Sequence, residues 1–187
     1  MHGLSLAATA ISSVIGIPHE TIVRAIETFQ GVKRRLEVLG EYNNVMVIDD
    51  FAHHPTAVSK TIQAVKRHYR DRRLVAVFEP RSNSSRRNIF QNTYADSFTD
   101  ADVVILPKPP MMDKIPFNER FSSPKLIADL KKRGIEAHYF PDNHALLHGL
   151  LAHIKPGDVI LVMSNGAFDN IQGRLVNYLK EKPDSQN

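Results

Sequence analysis

The chain has 187 residues, 42% of them hydrophobic and 24% charged, with a formal net charge of +4, a composition that suits one full hydrophobic core with a small attachment. Having no cysteine, it excludes a disulfide framework and thiolate metal sites and fits a reducing cytosol, so a cytoplasmic location is expected. No apolar run approaches the roughly 20 residues that span a bilayer, no charged-then-apolar leader is visible, and the basic clusters are scattered among few aromatics, so neither a membrane nor nucleic acid is expected as a partner.

Residues 4–15, rich in Ala, Ser, Leu and Ile, and residues 18–30, with Ile22, Val23, Ile26 and Phe29 at helical spacing, predict two helices punctuated by Gly16 and Gly31. Such a pair is too small to close a core by itself. The boundaries expected are therefore 1–31 for a helical remnant of a preceding domain and 32–187 for the main domain.

From Leu36 the pattern changes. Leu36 to Leu39 and Val45 to Ile48 predict an antiparallel pair joined by a turn over Gly40 to Asn44. Strands at 74–78, 103–106, 137–140 and 159–163 then alternate with helices at 56–69, 88–98, 124–133, 143–153 and 171–179, and a Pro-rich loop runs from Pro107 to Phe121. Alternation of this kind implies right-handed crossovers. The expected fold class is α/β, a doubly wound, mostly parallel Rossmann-like sheet with an antiparallel edge hairpin and a short N-terminal helical appendage. The polar tail Glu181 to Asn187 is expected to fray.

Three strand-to-helix junctions are unusually polar: Asp49-Asp50-Phe51-Ala52-His53-His54-Pro55-Thr56, Glu79-Pro80-Arg81-Ser82-Asn83-Ser84 and Ser164-Asn165-Gly166-Ala167-Phe168-Asp169-Asn170. Each follows an apolar strand, so all three should open on the carboxyl edge of the sheet, where open α/β sheets bind ligands. Asp50 can accept from ribose hydroxyls or orient a cation, and His53 and His54 can donate to phosphate or carboxylate oxygens. The planar fork of Arg81 matches a carboxylate. Ser82, Asn83, Ser164 and Asn165 add short donors and acceptors, and Gly166 lets a ligand approach backbone N–H groups. Arg34 and Arg35 stand where the helical pair meets the sheet and can clamp a polyphosphate.

The same residues also permit plainer roles. Asp49 can cap its turn, one histidine can pack in the core, and Ser or Asn can cap the next helix. Asp49, Asp50, His53 and His54 together admit a metal-dependent hydrolase, although no second ligand cluster supports it. His19, His68, His138, His144, His148 and His153 show no partners at ligand spacing and are expected to be structural or exposed, so no metal site is assigned. No glycine-rich phosphate cradle occurs anywhere in the chain.

In order and spacing, Gly31-Val32-Lys33-Arg34-Arg35-Leu36-Glu37, the Asp49 to Thr56 run, Glu79 to Ser84 and Met163-Ser164-Asn165-Gly166 resemble the C-terminal domain of the Mur ligase family. The Glu-Pro-Arg-Ser-Asn and Met-Ser-Asn-Gly stretches most resemble the branch that joins L-alanyl-γ-D-glutamyl-meso-diaminopimelate to UDP-N-acetylmuramate with ATP and Mg2+, in peptidoglycan recycling. By that resemblance an acyl phosphate forms on the muramate carboxylate and the peptide amino group attacks it. The P-loop, magnesium ligands and modified lysine of the family lie in its central domain, so ATP and Mg2+ are expected to be held mainly by the absent N-terminal and central domains, and this chain is expected to be inactive alone.

Carried over by position, the resemblance gives Arg35 to the ATP phosphates and Asp50 to the ribose. His53 and His54 share the second motif on the nucleotide or substrate side, His53 being counted with the nucleotide and His54 with the peptide. Arg81, Ser82 and Asn83 match the loop that meets the incoming peptide, and Ser164 and Asn165 line the same pocket. No catalytic residue is assigned within this chain. Ser84 replaces a common threonine, Ala167 to Asn170 replaces a glycine-rich continuation, and Leu4 stands near the place of a family asparagine that holds adenine. Apart from the resemblance, a free-standing α/β module that binds an anionic small ligand stays open.

Overall fold

The structure is a computed structural model that describes residues 2–29 and 31–181, with side chains from residue 6 onward. The end of the polar tail and the side chain of Leu4 lie outside the described residues. The chain divides into two units, Met1–Val32 and Lys33–Asn187. The first holds α1 (His2–Val14) and α2 (His19–Glu27). Gly16, with φ of +82°, lets the chain turn between them, and Pro18 precedes the first turn of α2 as its N-cap residue. Of the described side chains here only Ile22 is buried, while Leu6, Ile11, Val14 and Phe29 are exposed.

The second unit alternates strand and helix: β1 (Glu37–Tyr42), β2 (Val45–Asp50), α3 (Pro55–His68), β3 (Leu74–Phe78), α4 (Gln91–Ser97), β4 (Val103–Pro107), α5 (Ser123–Lys132), β5 (Glu136–Phe140), α6 (Asn143–His153), β6 (Val159–Met163) and α7 (Ile171–Glu181). The strands form one sheet in the order β1-β2-β6-β3-β4-β5. Only the β1–β2 pairing is antiparallel. This is the expected α/β sheet with its antiparallel edge hairpin. No described helix is long and apolar enough to cross a membrane.

β3 and β6 are buried along their whole length, which is why their sequences read as unbroken apolar runs. Alternate residues serve opposite faces. Ala76, Phe78, Leu161 and Met163 pack with α3, α4 and α5, and Val75, Val77, Ile160 and Val162 pack with α6 and α7. Phe78 illustrates the density of the first layer, its ring 5.2 Å from that of Tyr94 and 5.6 Å from that of Phe98. Burying such a side chain contributes about 1.5–3 kcal/mol.

Local chemistry moved three boundaries. The hairpin turn is two residues, Asn43 and Asn44, both left-handed with φ of 52° and 58°, the conformation a tight hairpin needs and asparagine tolerates. Gly40 instead sits inside β1, at a register shift between Val38 and Gly40, with φ of +142° and a Cβ position only 2.5 Å from the Tyr42 hydroxyl. Leu36 is left-handed (φ 50°) and stands before β1. The helix expected from Asn88 begins as a 3-10 turn, Asn88–Phe90, before α4.

The placement of β6 between β2 and β3 positions the site. Asp50 and Phe78 both register with Met163, so the three polar junctions leave neighbouring strands at one level and share one rim. From β2 and β3 the chain departs over the face of α3 to α5, whereas from β6 it turns to α7 on the other face. Neighbouring loops that part in this way open a crevice between the ends of β6 and β3.

Candidate functional site

At the end of β2 the two aspartates do different work. Asp50, 4% exposed, accepts from the backbone N–H of Leu36 (2.8 Å), the N–H of Ala52 (2.8 Å) and the Thr61 hydroxyl (3.3 Å). It thereby holds the turn at residues 34–36, in which Arg34 and Leu36 are left-handed non-glycine residues. Such conformations cost about 1–3 kcal/mol each and persist only where the surroundings over-determine them. Here the Phe51 N–H donates to the Arg34 carbonyl at 2.8 Å and the Arg34 N–H to Glu37 Oε2 at 2.7 Å.

The turn places two guanidinium groups over Phe51, Arg34 at 5.4 Å and Arg35 at 5.5 Å from the ring centroid. Arg34 is an inward strut. Its Nε donates to Asp49 Oδ2 at 3.3 Å and its Nη2 to the Ser164 carbonyl at 2.5 Å. Burial pushes the Asp49 carboxyl up from its ordinary value, against the opposing pull of Arg34. Arg35 is exposed and has no carboxylate partner among the described residues.

Across the crevice, Glu79 is buried one residue beyond β3. The Ser164 hydroxyl donates to Glu79 Oε2 at 2.6 Å and accepts from the Gly166 N–H at 3.0 Å. Arg81 Nη1 lies 3.5 Å from Glu79 Oε1, its side chain 36% exposed. Burial raises the Glu79 carboxyl, opposed by the Ser164 hydrogen bond and Arg81. The Arg81 side chain lies across Gly166, where a Cβ would fall 2.0 Å from Arg81 Cδ. Asp49, Arg34, Ser164, Glu79 and Arg81 thus form one chain of charge-assisted contacts over three strand ends, two carboxylates answered by two arginines.

The remaining expected residues stand apart from that chain. His53 packs edge-on against Phe51, centroids 5.5 Å apart, with Nδ1 3.1 Å from the Phe51 carbonyl. The buried Tyr94 hydroxyl donates to the His53 carbonyl at 2.5 Å, and burial raises its pKa. Exposed His54 caps α3, its Nδ1 accepting from the Thr56 N–H at 3.3 Å. That cap was expected of neither histidine. Ser82 closes a local turn by accepting from the Ser85 N–H at 3.0 Å, and Asn83 is exposed beside it. Asn165 is half-buried, with Oδ1 buried and unpartnered among the described residues.

Two corrections concern metals. Asp49, Asp50, His53 and His54 do not come together as ligands among the described residues: His53 packs on Phe51 and His54 caps α3. The hydrolase reading is set aside. Conversely, His138 and His153, expected to be partnerless, have ring centroids 4.2 Å apart. Fifteen positions separate them, so only the packing of α6 on β5 brings them together.

Sequence reasoning also left Glu79 without a role, offered Asp49 only as a turn cap or metal ligand, and expected Arg34 to clamp a polyphosphate, whereas it reaches inward to Asp49 and Ser164. The available signal was an acidic residue directly ending a fully apolar strand, where burial forces it to find a partner. A cavity of about 250 Å³ opens on the same rim, lined by Glu79, Lys108, Pro109, Pro110, Pro141, Asp142 and Asn143. A wider depression of about 720 Å³ on the flank of α3, beside Lys66, Arg67 and Arg70, lies away from the strand ends, and Lys66 there is already paired with Asp102 at 2.5 Å.

The model of the Mur ligase, glutamate ligase domain, matches residues 34–166. The UDP-N-acetylmuramate–L-alanine ligase of Geotalea uraniireducens (strain Rf4) is 34% identical over 94% of this chain and 38% of its own length. The UDP-N-acetylmuramate–L-alanyl-γ-D-glutamyl-meso-2,6-diaminoheptandioate ligase of Escherichia coli (strain K12) is 35% identical over 99% of this chain and 38% of its own. Among solved structures, a murein peptide ligase from Psychrobacter arcticus 273-4 aligns with a TM-score of 0.70 and 33% identity, over 95% of this chain and 36% of that one. The chain therefore spans little more than a third of the length of these relatives.

Proposed function

The chain belongs to the Mur ligase family, and from that premise we propose that it is the C-terminal domain of an ATP-dependent ligase that attaches L-alanyl-γ-D-glutamyl-meso-diaminopimelate to UDP-N-acetylmuramate. On this reading it supplies nucleotide contacts and holds the incoming peptide, and the domains its longer relatives carry complete the enzyme. Residues 1–31 then belong to the central domain and 32–187 to the C-terminal one.

The nucleotide side rests on Arg35. An exposed guanidinium over an aromatic ring, with no carboxylate to neutralise it among the described residues, suits an ATP phosphate. Asp50 serves that side by fixing the turn that carries Arg35, with one Oδ2 lone pair left for a ribose hydroxyl, and His53 stands next to it against Phe51. ATP supplies the phosphoryl group that activates the muramate carboxylate. The rim does not fit Mg2+: Asp49 Oδ2 and Glu79 already face arginines, Asp50 faces backbone N–H groups, and the one unpartnered carboxylate oxygen among them, Asp49 Oδ1, is buried from solvent. The metal accordingly belongs to the partner domains.

The observation that carries the peptide side is Arg81. It is tethered to buried Glu79, lies over Gly166 and keeps a half-exposed fork on the crevice, which suits a carboxylate of the diaminopimelate end. Asn165 Oδ1, a buried acceptor without a partner, suits the donor on the incoming amine. Ser82 and Asn83 shape the Arg81 turn, and His54 sits at the head of α3.

The test is the full-length ligase offered either the tripeptide or L-alanine as the amine. Arg81→Ala should raise the tripeptide KM roughly 10- to 100-fold, the cost of about 1.5–3 kcal/mol for a lost charge-assisted contact, with the ATP KM unchanged. Efficient use of L-alanine, insensitive to Arg81→Ala, would instead place the chain with its L-alanine-adding relatives.

A further inference from the structure

The structure carries a second cluster of ligand-type side chains, on the opposite rim of the sheet. Among the described residues, Glu136, His138 and His153 are the one group of three whose ligand atoms all lie within 4.8 Å of one another. Glu136 and His138 sit two apart on β5, so they share one face of the strand. Phe140 continues that face, and its ring fills the space a side chain at Gly149 of α6 would take, with a Cβ there only 2.0 Å from the ring. That close approach brings His153, four residues after Gly149 and the last residue of α6, over His138, with centroids 4.2 Å apart.

The protonation states follow from the hydrogen bonds. His153 Nδ1 lies 2.6 Å from the Gly149 carbonyl, and a carbonyl can only accept. Nδ1 therefore carries a proton, which in the neutral imidazole leaves the lone pair on Nε2. A backbone carbonyl on the far nitrogen is how metal-binding histidines are usually oriented. By the same rule His138 Nε2 donates to Glu136 Oε1 at 2.9 Å, so an imidazole and a carboxylate meet at one locus, where a bound ion takes the place of the shared proton. The neighbouring cation is accounted for: Arg73 makes two contacts with Asp158, at 2.9 and 2.8 Å, and donates to the His153 carbonyl at 2.6 Å. Glu136 is exposed and the histidines half-exposed, which leaves a route for an ion and room for water as a further ligand.

We propose that Glu136, His138 and His153 bind a divalent transition-metal ion of the Zn2+ class, which clips the edge strand β5 to the end of α6. Two imidazoles and one carboxylate suit Zn2+, Ni2+ or Cu2+, whereas Mg2+ prefers an all-oxygen shell. β5 is an outer strand of the sheet and Glu136 begins it, at the amino edge. The ion sits away from the ligase crevice and stabilises an exposed strand edge.

The test is titration of the 187-residue chain with Zn2+, and with Mg2+ as control, by calorimetry and thermal unfolding. Zn2+ should bind at one equivalent and raise Tm, and Mg2+ should do neither. His138→Ala, and separately Glu136→Gln on the exposed carboxylate, should weaken Zn2+ binding by at least the roughly 10- to 100-fold that loss of a mere outer-shell partner costs. His144 and His148, one turn apart on α6 with centroids 4.6 Å apart, form the competing surface pair, and the double variant His144→Ala/His148→Ala should bind Zn2+ as the parent does. Absence of Zn2+ binding by the parent, or binding lost in that double variant and retained in Glu136→Gln, would overturn the proposal.

Discussion

Ser164 and Glu79, 85 residues apart in sequence, meet at 2.6 Å where β6 and β3 end, the hydroxyl donating to a carboxylate that has almost no contact with solvent. The backbone reinforces the pair. The Glu79 N–H donates to the Met163 carbonyl at 3.0 Å and the Ser164 N–H to the Asp50 carbonyl at 3.1 Å, so the sheet ladder runs one residue beyond its strands.

Replacing Ser164 with Ala leaves a buried acceptor without its donor. We expect a loss of about 1–3 kcal/mol in unfolding free energy, read as a lower urea midpoint at unchanged slope. A loss below a few tenths of a kcal/mol would show that the bond contributes little.

Glu79 also sets a pH dependence. Burial raises its carboxyl above the ordinary 4.5, so on raising the pH the unfolded chain releases its proton first. The folded state then binds more protons, and stability falls as pH rises from that ordinary value through the folded one. Relative to Glu79→Gln, which does not titrate, the parent should therefore lose stability across that interval. Parallel urea-midpoint curves for the two proteins would contradict the assignment.

At Gly166 a methyl group would strike the Arg81 side chain rather than backbone. Because that side chain can swing away, Gly166→Ala should cost little stability, about 1 kcal/mol or less. In the full-length ligase it should nevertheless raise the KM of the amine substrate towards that of Arg81→Ala. Unchanged kinetics would mean that the position of Arg81 over Gly166 does not matter for binding.

Between Gly166 and α7, Phe168, Asp169 and Asn170 are all left-handed, with φ of 47°, 52° and 50°. Each such non-glycine residue costs roughly 1–2 kcal/mol. Buried Phe168 anchors the turn. Asp169→Gly should relieve part of the strain and stabilise the chain by about 0.5–1 kcal/mol, after loss of the exposed Arg174–Asp169 pair and the added freedom of the unfolded glycine. A lower unfolding midpoint would show that the pair outweighs the strain.

The order and type of the strands and helices of the second unit, the antiparallel first pair and the three polar junctions were legible in the residues, because alternation, helical spacing and Gly, Pro and Asn punctuation act over a few neighbours. So was the place of Arg81 in the loop that leaves β3, since an arginine after a strand and a proline announces itself locally. What sequence spacing could not show is that β6 enters between β2 and β3, that Arg34 reaches Asp49 and Ser164, or that Glu136, His138 and His153 converge. Those pairings depend on which apolar faces bury one another, and a buried carboxylate takes whichever donor the packing brings to it. Local chemistry decided where this chain turns polar; the closing of the sheet decided which polar groups meet.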